Sequence, residues 1–138
     1  MAVIIPARDE EERLGRCLDS VRAAMDRLAC ARPQIQARAI VVADSCTDGT
    51  AQIAGRHASE DCRISVQQVG FGNVGASRAA GARHALDLLA TASDPGAIWL
   101  ASTDADTCVP EHWLQGFARL HSRGADAVAG TVEPDRSE

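Results

Sequence analysis

At 138 residues with 46% apolar side chains, the chain fits one compact domain with a sizeable buried core, and its 24% charged residues of mixed sign argue against disorder or low complexity. The net charge of -5 comes from 19 acidic residues against 14 basic ones, all Arg and nowhere in a run, so nucleic acid and anionic membranes are not expected partners. Five cysteines, at 17, 30, 46, 62 and 108, form neither a Cys-x-x-Cys pair nor a zinc spacing and read as reduced thiols. No stretch approaches 18 consecutive apolar residues, so no transmembrane span is expected, and the chain reads as cytoplasmic.

Ala2 to Pro6 is a short apolar run closed by Pro and predicts a buried first strand. From Glu10 to Ala31, Leu14, Cys17, Leu18, Val21, Met25 and Leu28 recur at three- and four-residue spacing and predict an amphipathic helix. Ala39 to Ala43 predicts a second strand, and the polar turn from Asp44 to Gly49 leads into a helix over Thr47 to Ala58. Arg63 to Val69 alternates like an edge strand, Gly70, Gly72 and Gly75 mark a permissive loop, and a third helix is expected over Ala76 to Ala92. Ala97 to Ala101 predicts a fourth strand, Pro110 opens a helix carrying Trp113, Phe117 and Leu120, and Ala125 to Val132 predicts a fifth strand.

Alternating strands and helices predict an α/β fold, an open and mainly parallel Rossmann-like sheet with helices on both faces. Such sheets bind ligands at the carboxyl ends of their strands. Acidic groups cluster at those ends: Arg8-Asp9-Glu10 after the first strand, Asp44 to Asp48 after the second and Asp104-Ala105-Asp106 after the fourth. Two carboxylates one residue apart suit a hard divalent cation, which in diphosphate sites takes only one or two protein carboxylates. Asp48, followed by Gly49 and Thr50, reads as a turn or helix cap, and the four histidines share no face or spacing.

In combination, four motifs resemble family 2 glycosyltransferases of the GT-A fold over almost the whole chain. Val3 to Glu11 looks like the family's opening strand and polar loop, with Asp9 where Asn is usual. Val42 to Thr50 looks like its second strand and acidic turn, with Ala43 in place of the first acidic residue. Gly75 to Gly81 resembles its third motif, and Asp104-Ala105-Asp106 its metal signature. The resemblance implies a donor site for a UDP- or GDP-type nucleotide sugar, with Pro6, Ala7, Arg8, Glu10, Asp44, Arg78 and Asp104 on the nucleotide. It further implies that Asp44 meets the base, Asp104 the ribose, and Asp106 a Mn²⁺ or Mg²⁺ ion on the diphosphate.

Residues 1 to 132 are then the nucleotide-sugar-binding domain and 133 to 138 a polar tail, with the family's acceptor-binding half, which carries the catalytic base, expected to be absent. No catalytic base and no acceptor are identified. Three readings stand side by side: the donor part of a glycosyltransferase, a small enzyme that completes its site with another protomer or protein, and a non-catalytic nucleotide-binding or interaction module. Exposed edge strands would favour a homo-oligomer. Nucleotidyl transfer is disfavoured, because Pro6 to Glu11 stands where a Gly-rich, Lys-containing loop would be needed.

Overall fold

The computed structural model describes residues 1–90 and 97–134. The elements run β1 (Ala2–Ala7), α1 (Leu14–Ala31), β2 (Arg38–Asp44), α2 (Thr50–Glu60), β3 (Ile64–Val69), α3 (Val74–Ala90), β4 (Leu100–Ser102) and α4 (Trp113–His121). The strands form one sheet in the order β3-β2-β1-β4, and every pairing is parallel. This is the α/β architecture expected from the alternation.

Successive β1 residues serve opposite faces of the sheet. Val3, Ile5 and Ala7 join Val41 and the buried stripe of α1 in one core, which also takes in Leu114 and Ala118 of α4. Ala2 and Ile4 join Ile40, Val42 and two residues of α3 in a second core. Burial on both faces explains why β1 and β2 are apolar runs without alternation. β3 lies at one edge of the sheet, and its polar alternation reflects that position.

The buried residues of α3 are Ser77, Gly81, Ala85 and Leu89, a stripe with a spacing of four. Gly81 lets this helix approach the sheet closely: a Cβ there would lie 2.6 Å from Ile4 Cγ2 and 2.9 Å from Val42 Cγ2. Both neighbours are β-branched and stiff at χ1. Gly81→Ala is therefore expected to incur an overpacking cost of about 1–3 kcal/mol, set against roughly 1 kcal/mol gained in helix propensity. Urea unfolding should show a net loss of stability; a gain would show slack between helix and sheet.

Several boundaries differ from expectation. α1 begins at Leu14, because Glu10 to Arg13 form a turn in which the Glu10 carbonyl accepts the N–H groups of Arg13 and Leu14. α2 starts at Thr50, since Asp48 holds the preceding turn by accepting the Thr50 N–H. α3 starts two residues early, at Val74, and the end expected at Ala92 lies outside the described residues. β4 is shorter and later than the run from Ala97 to Ala101: it covers only Leu100–Ser102, the residues that pair with Ala2, Val3 and Ile4.

The fifth strand expected over Ala125 to Val132 is not formed. Among the described residues this segment carries no strand pairing, and most of it is exposed. Val128, Thr131 and Val132 supply strand propensity, but a strand also needs a neighbouring ladder and a covered face, and this segment has neither among the described residues.

Candidate functional site

The chain runs β1 to β2 to β3 outward on one side and then crosses to place β4 on the other side of β1. The sheet therefore has its topological switch point between β1 and β4, where open α/β sheets leave a crevice at the carboxyl ends of the strands. A cleft of about 330 Å³ opens there, within the size range of small-molecule sites.

The loop after β1 forms one wall and is laced to the loop after β2. Asp9 has a left-handed backbone, φ 52°, and its carboxylate accepts the N–H and hydroxyl of Thr47 at 2.7 and 3.2 Å. The Glu10 N–H donates to the buried Thr50 hydroxyl at 2.7 Å, and the Glu11 carboxylate accepts the Gly49 N–H at 2.7 Å. The Glu11 N–H in turn donates to Asp48 at 3.1 Å, which places Asp48 in the structural role read from its turn. Glu10 also lines the cleft, and its carboxylate has a 3.4 Å contact to Arg13.

Asp44 ends β2 and is 4% exposed. Its Oδ1 accepts the Ser45 hydroxyl and the Gly72 N–H; its Oδ2 accepts the Asn73 N–H and the Ser77 hydroxyl, all between 2.8 and 2.9 Å. Burial by itself raises the carboxyl pKa, but hydrogen bonds from Gly72, Ser77, Asn73 and Ser45 outweigh it and hold Asp44 well below the ordinary carboxylate range. Asp44 is thus a carboxylate at any ordinary pH, and it anchors the loop that precedes α3.

The third wall follows β4. Thr103 N–H and the Ser102 hydroxyl both donate to the Ile4 carbonyl, which holds the start of this wall against β1. In Asp104-Ala105-Asp106, Ala105 is buried in the core while both carboxylates are exposed. α1 supports this turn from below: the Cys17 thiol donates to the Asp104 carbonyl at 3.5 Å, and the Ser20 hydroxyl accepts the Val109 N–H at 3.0 Å. Among the described residues Asp106 has a single side-chain hydrogen bond, at 3.3 Å from the Thr107 hydroxyl. Asp104 forms an ion pair with Arg78. An exposed pair of this kind contributes only about 0–1 kcal/mol, so an anionic ligand can compete for Arg78.

Pro6, Ala7, Arg8, Glu10, Asp44, Asp104 and Asp106, singled out from sequence, all line this one cleft. Arg78 does not: it lines a wider groove of about 1430 Å³ that adjoins the cleft along Asp104 and Asp106. Sequence reasoning missed Gly72, Asn73, Val74 and Ser77 as wall residues. The usable signals were Asn73 as a helix cap, since its Oδ1 accepts the Ala76 N–H, and Ser77 as a polar member of a buried helical stripe. The loop read as a permissive turn is in fact one wall of the cleft, and Gly72 (φ 60°) is the position where left-handed backbone is needed.

Residues 2–138 match the sequence model of the family described as Glycosyl transferase family 2. The chain belongs to glycosyl transferase family 2. Its parallel sheet with helices on both faces matches the Rossmann-like half of a GT-A fold. No curated protein matches the chain in sequence. Membership of glycosyl transferase family 2 supports a general role in glycosyl transfer. No helix among the described residues is long and apolar enough to cross a membrane.

Below the acidic turn of this glycosyl transferase family 2 domain, Cys17 is fully buried. Burial first, and then the negative charges of Cys108, Asp106, Asp104 and Glu10, push its thiol up to about 12 from an ordinary 9.0. The proton is therefore held more tightly in the folded protein. Its contribution to stability is complete below about pH 9 and is lost as pH rises from there toward 12. Alkylation at neutral pH is expected to modify the exposed Cys30, Cys62 and Cys108 first and Cys17 only on unfolding. Peptide mapping that found Cys17 among the early products would contradict this packing.

Proposed function

We propose that the cleft binds the nucleoside part of a UDP- or GDP-type nucleotide sugar together with a divalent cation, and that the chain supplies the donor side of a glycosyl transfer. The observation that carries this reading is the meeting of Asp104 and Asp106 with the β1 loop and the Asp44-held loop around one cleft at the switch point. Pro6, Ala7, Arg8 and Glu10 form the nucleoside wall, Asp104 takes the ribose, and Asp106 holds Mn²⁺ or Mg²⁺ on the diphosphate. Arg78 lies beside Asp104 and adds a fixed positive charge for the diphosphate.

The donor set suits such an ion. No group of three or more His, Cys, Asp or Glu side chains able to hold a metal occurs among the described residues, so the protein alone offers no closed cage. A hard cation bound through one or two carboxylates, with phosphate and water oxygens completing its shell, needs none. Such an ion, once bound, supplies Lewis-acid stabilisation of the charge that develops on the leaving diphosphate. The sugar would lie toward the wide groove beyond Asp104 and Asp106, where an acceptor would also have to reach it.

Thermal unfolding tests this proposal. A ligand at a hundred times its dissociation constant adds about 2.7 kcal/mol to stability, so UDP or GDP should raise the midpoint with Mn²⁺ and much less without it. An identical midpoint in all conditions would leave the chain as a module that does not bind nucleotide.

A further inference from the structure

The wide groove beyond the cleft carries positive charge that the donor site does not use. Besides Arg78, it is lined by Arg13 and Arg16, at the start of α1. Arg13 lies one helical turn before Cys17, whose N–H donates to the Arg13 carbonyl at 3.1 Å, and Arg16 lies one turn before Ser20. Cys17 and Ser20 are the residues that hold the turn from Asp104 to Val109, so the two arginines stand beside that turn on the groove wall. Arg13 has one ion pair, a 3.4 Å contact to Glu10, with its side chain 54% exposed. Arg16 is exposed and forms no ion pair among the described residues. Residues three apart are neighbours on a helix surface, where like charges repel. The groove's other charged side chains, Asp126 and Glu133, belong to the segment after α4.

We infer that Arg13 and Arg16 bind a phosphate group carried by the acceptor, which makes a phosphate ester the substrate class of the groove. The inference rests on the proposed reading of the cleft as a donor site. With a nucleotide sugar in place, Arg78 and the cation on Asp106 serve the diphosphate, and Arg13 and Arg16 remain for whatever approaches the sugar through the groove. A carboxylate has two oxygens and is satisfied by one bidentate arginine. A phosphate monoester brings three oxygens and close to two negative charges, which suit two neighbouring guanidinium groups and remove their repulsion.

Calorimetric titration of the chain, loaded with UDP or GDP and Mg²⁺, with glycerol 3-phosphate tests this. One-to-one binding is expected, with glycerol as the blank. Arg13→Gln and Arg16→Gln should each weaken it roughly tenfold or more, the effect of losing a charge-assisted hydrogen bond. Nucleotide affinity should stay at the wild-type level in Arg16→Gln, because Arg16 does not line the cleft. A phosphate carried on a lipid is detected by sedimentation with phosphatidylcholine vesicles, with and without phosphatidate. Binding that needs phosphatidate and is lost in the doubly substituted chain assigns the phosphate to a lipid; binding of glycerol 3-phosphate alone assigns it to a soluble ester. Binding of neither probe, equal binding by the variants, or competition between glycerol 3-phosphate and the nucleotide would each overturn the inference, competition because it would put the phosphate in the place of the diphosphate. Absence of UDP and GDP binding would refute the donor reading instead. Titration of the nucleotide-free chain then tests the arginines by themselves: weaker binding in Arg16→Gln upholds the anion site, and equal binding overturns it.

Discussion

Asp106→Ala is expected to remove metal-dependent nucleotide binding and leave the fold intact. The side chain is exposed, and its one hydrogen bond among the described residues is a 3.3 Å contact from Thr107, so its loss should change stability by no more than about 0.5 kcal/mol. Among the described residues the carboxylate is nevertheless the acidic group on this turn that forms no ion pair, since Asp104 is paired with Arg78. A cation that depends on it loses its principal protein ligand. In a transfer-competent form of the protein the rate should fall roughly a thousandfold, about 4 kcal/mol of barrier. Unchanged nucleotide affinity, or a loss of only tenfold in transfer, would make Asp106 peripheral.

The largest stability effect is expected at the other end of the same support. Leu18 lies on α1, fully buried in the core that joins α1, the β1 face and α4. The same helix carries Cys17 and Ser20, which hold the turn from Asp104 to Val109. Leu18→Ala should cost about 2–5 kcal/mol, from lost transfer energy and the cavity left behind. That is a large share of the 5–15 kcal/mol typical of a domain. Denaturant unfolding measures it directly; a loss below about 1 kcal/mol would mean that the core repacks around the gap. A loosened α1 should also weaken nucleotide binding, since the acidic turn rests on it.

Much of this molecule is legible in its sequence, for identifiable reasons. β1 and β2 are covered on both faces, so they announce themselves as unbroken apolar runs, and the stripe from Leu14 to Leu28 gives α1. The acidic rim follows from strand order alone, because Glu10, Asp44, Asp104 and Asp106 each follow or end a parallel strand. Tertiary partners are what the sequence does not contain. Nothing in the run from Ala125 to Val132 reveals that it lacks a neighbouring strand. Asp44 reads as an open ligand group because its four donors come from Ser45 and from the loop and first turn of α3 more than 25 residues away. Arg78 and Asp104 likewise read as separate contacts, although they meet as an ion pair across 26 residues of sequence.

The proposed function requires the cleft to be a metal-dependent nucleotide site. The most direct measurement is calorimetric titration of the chain with UDP and with GDP, each with and without Mn²⁺. Binding of one nucleotide at a one-to-one ratio, present with Mn²⁺ and lost without it, is the predicted result; equal binding with and without the ion, or no binding in any condition, would contradict it.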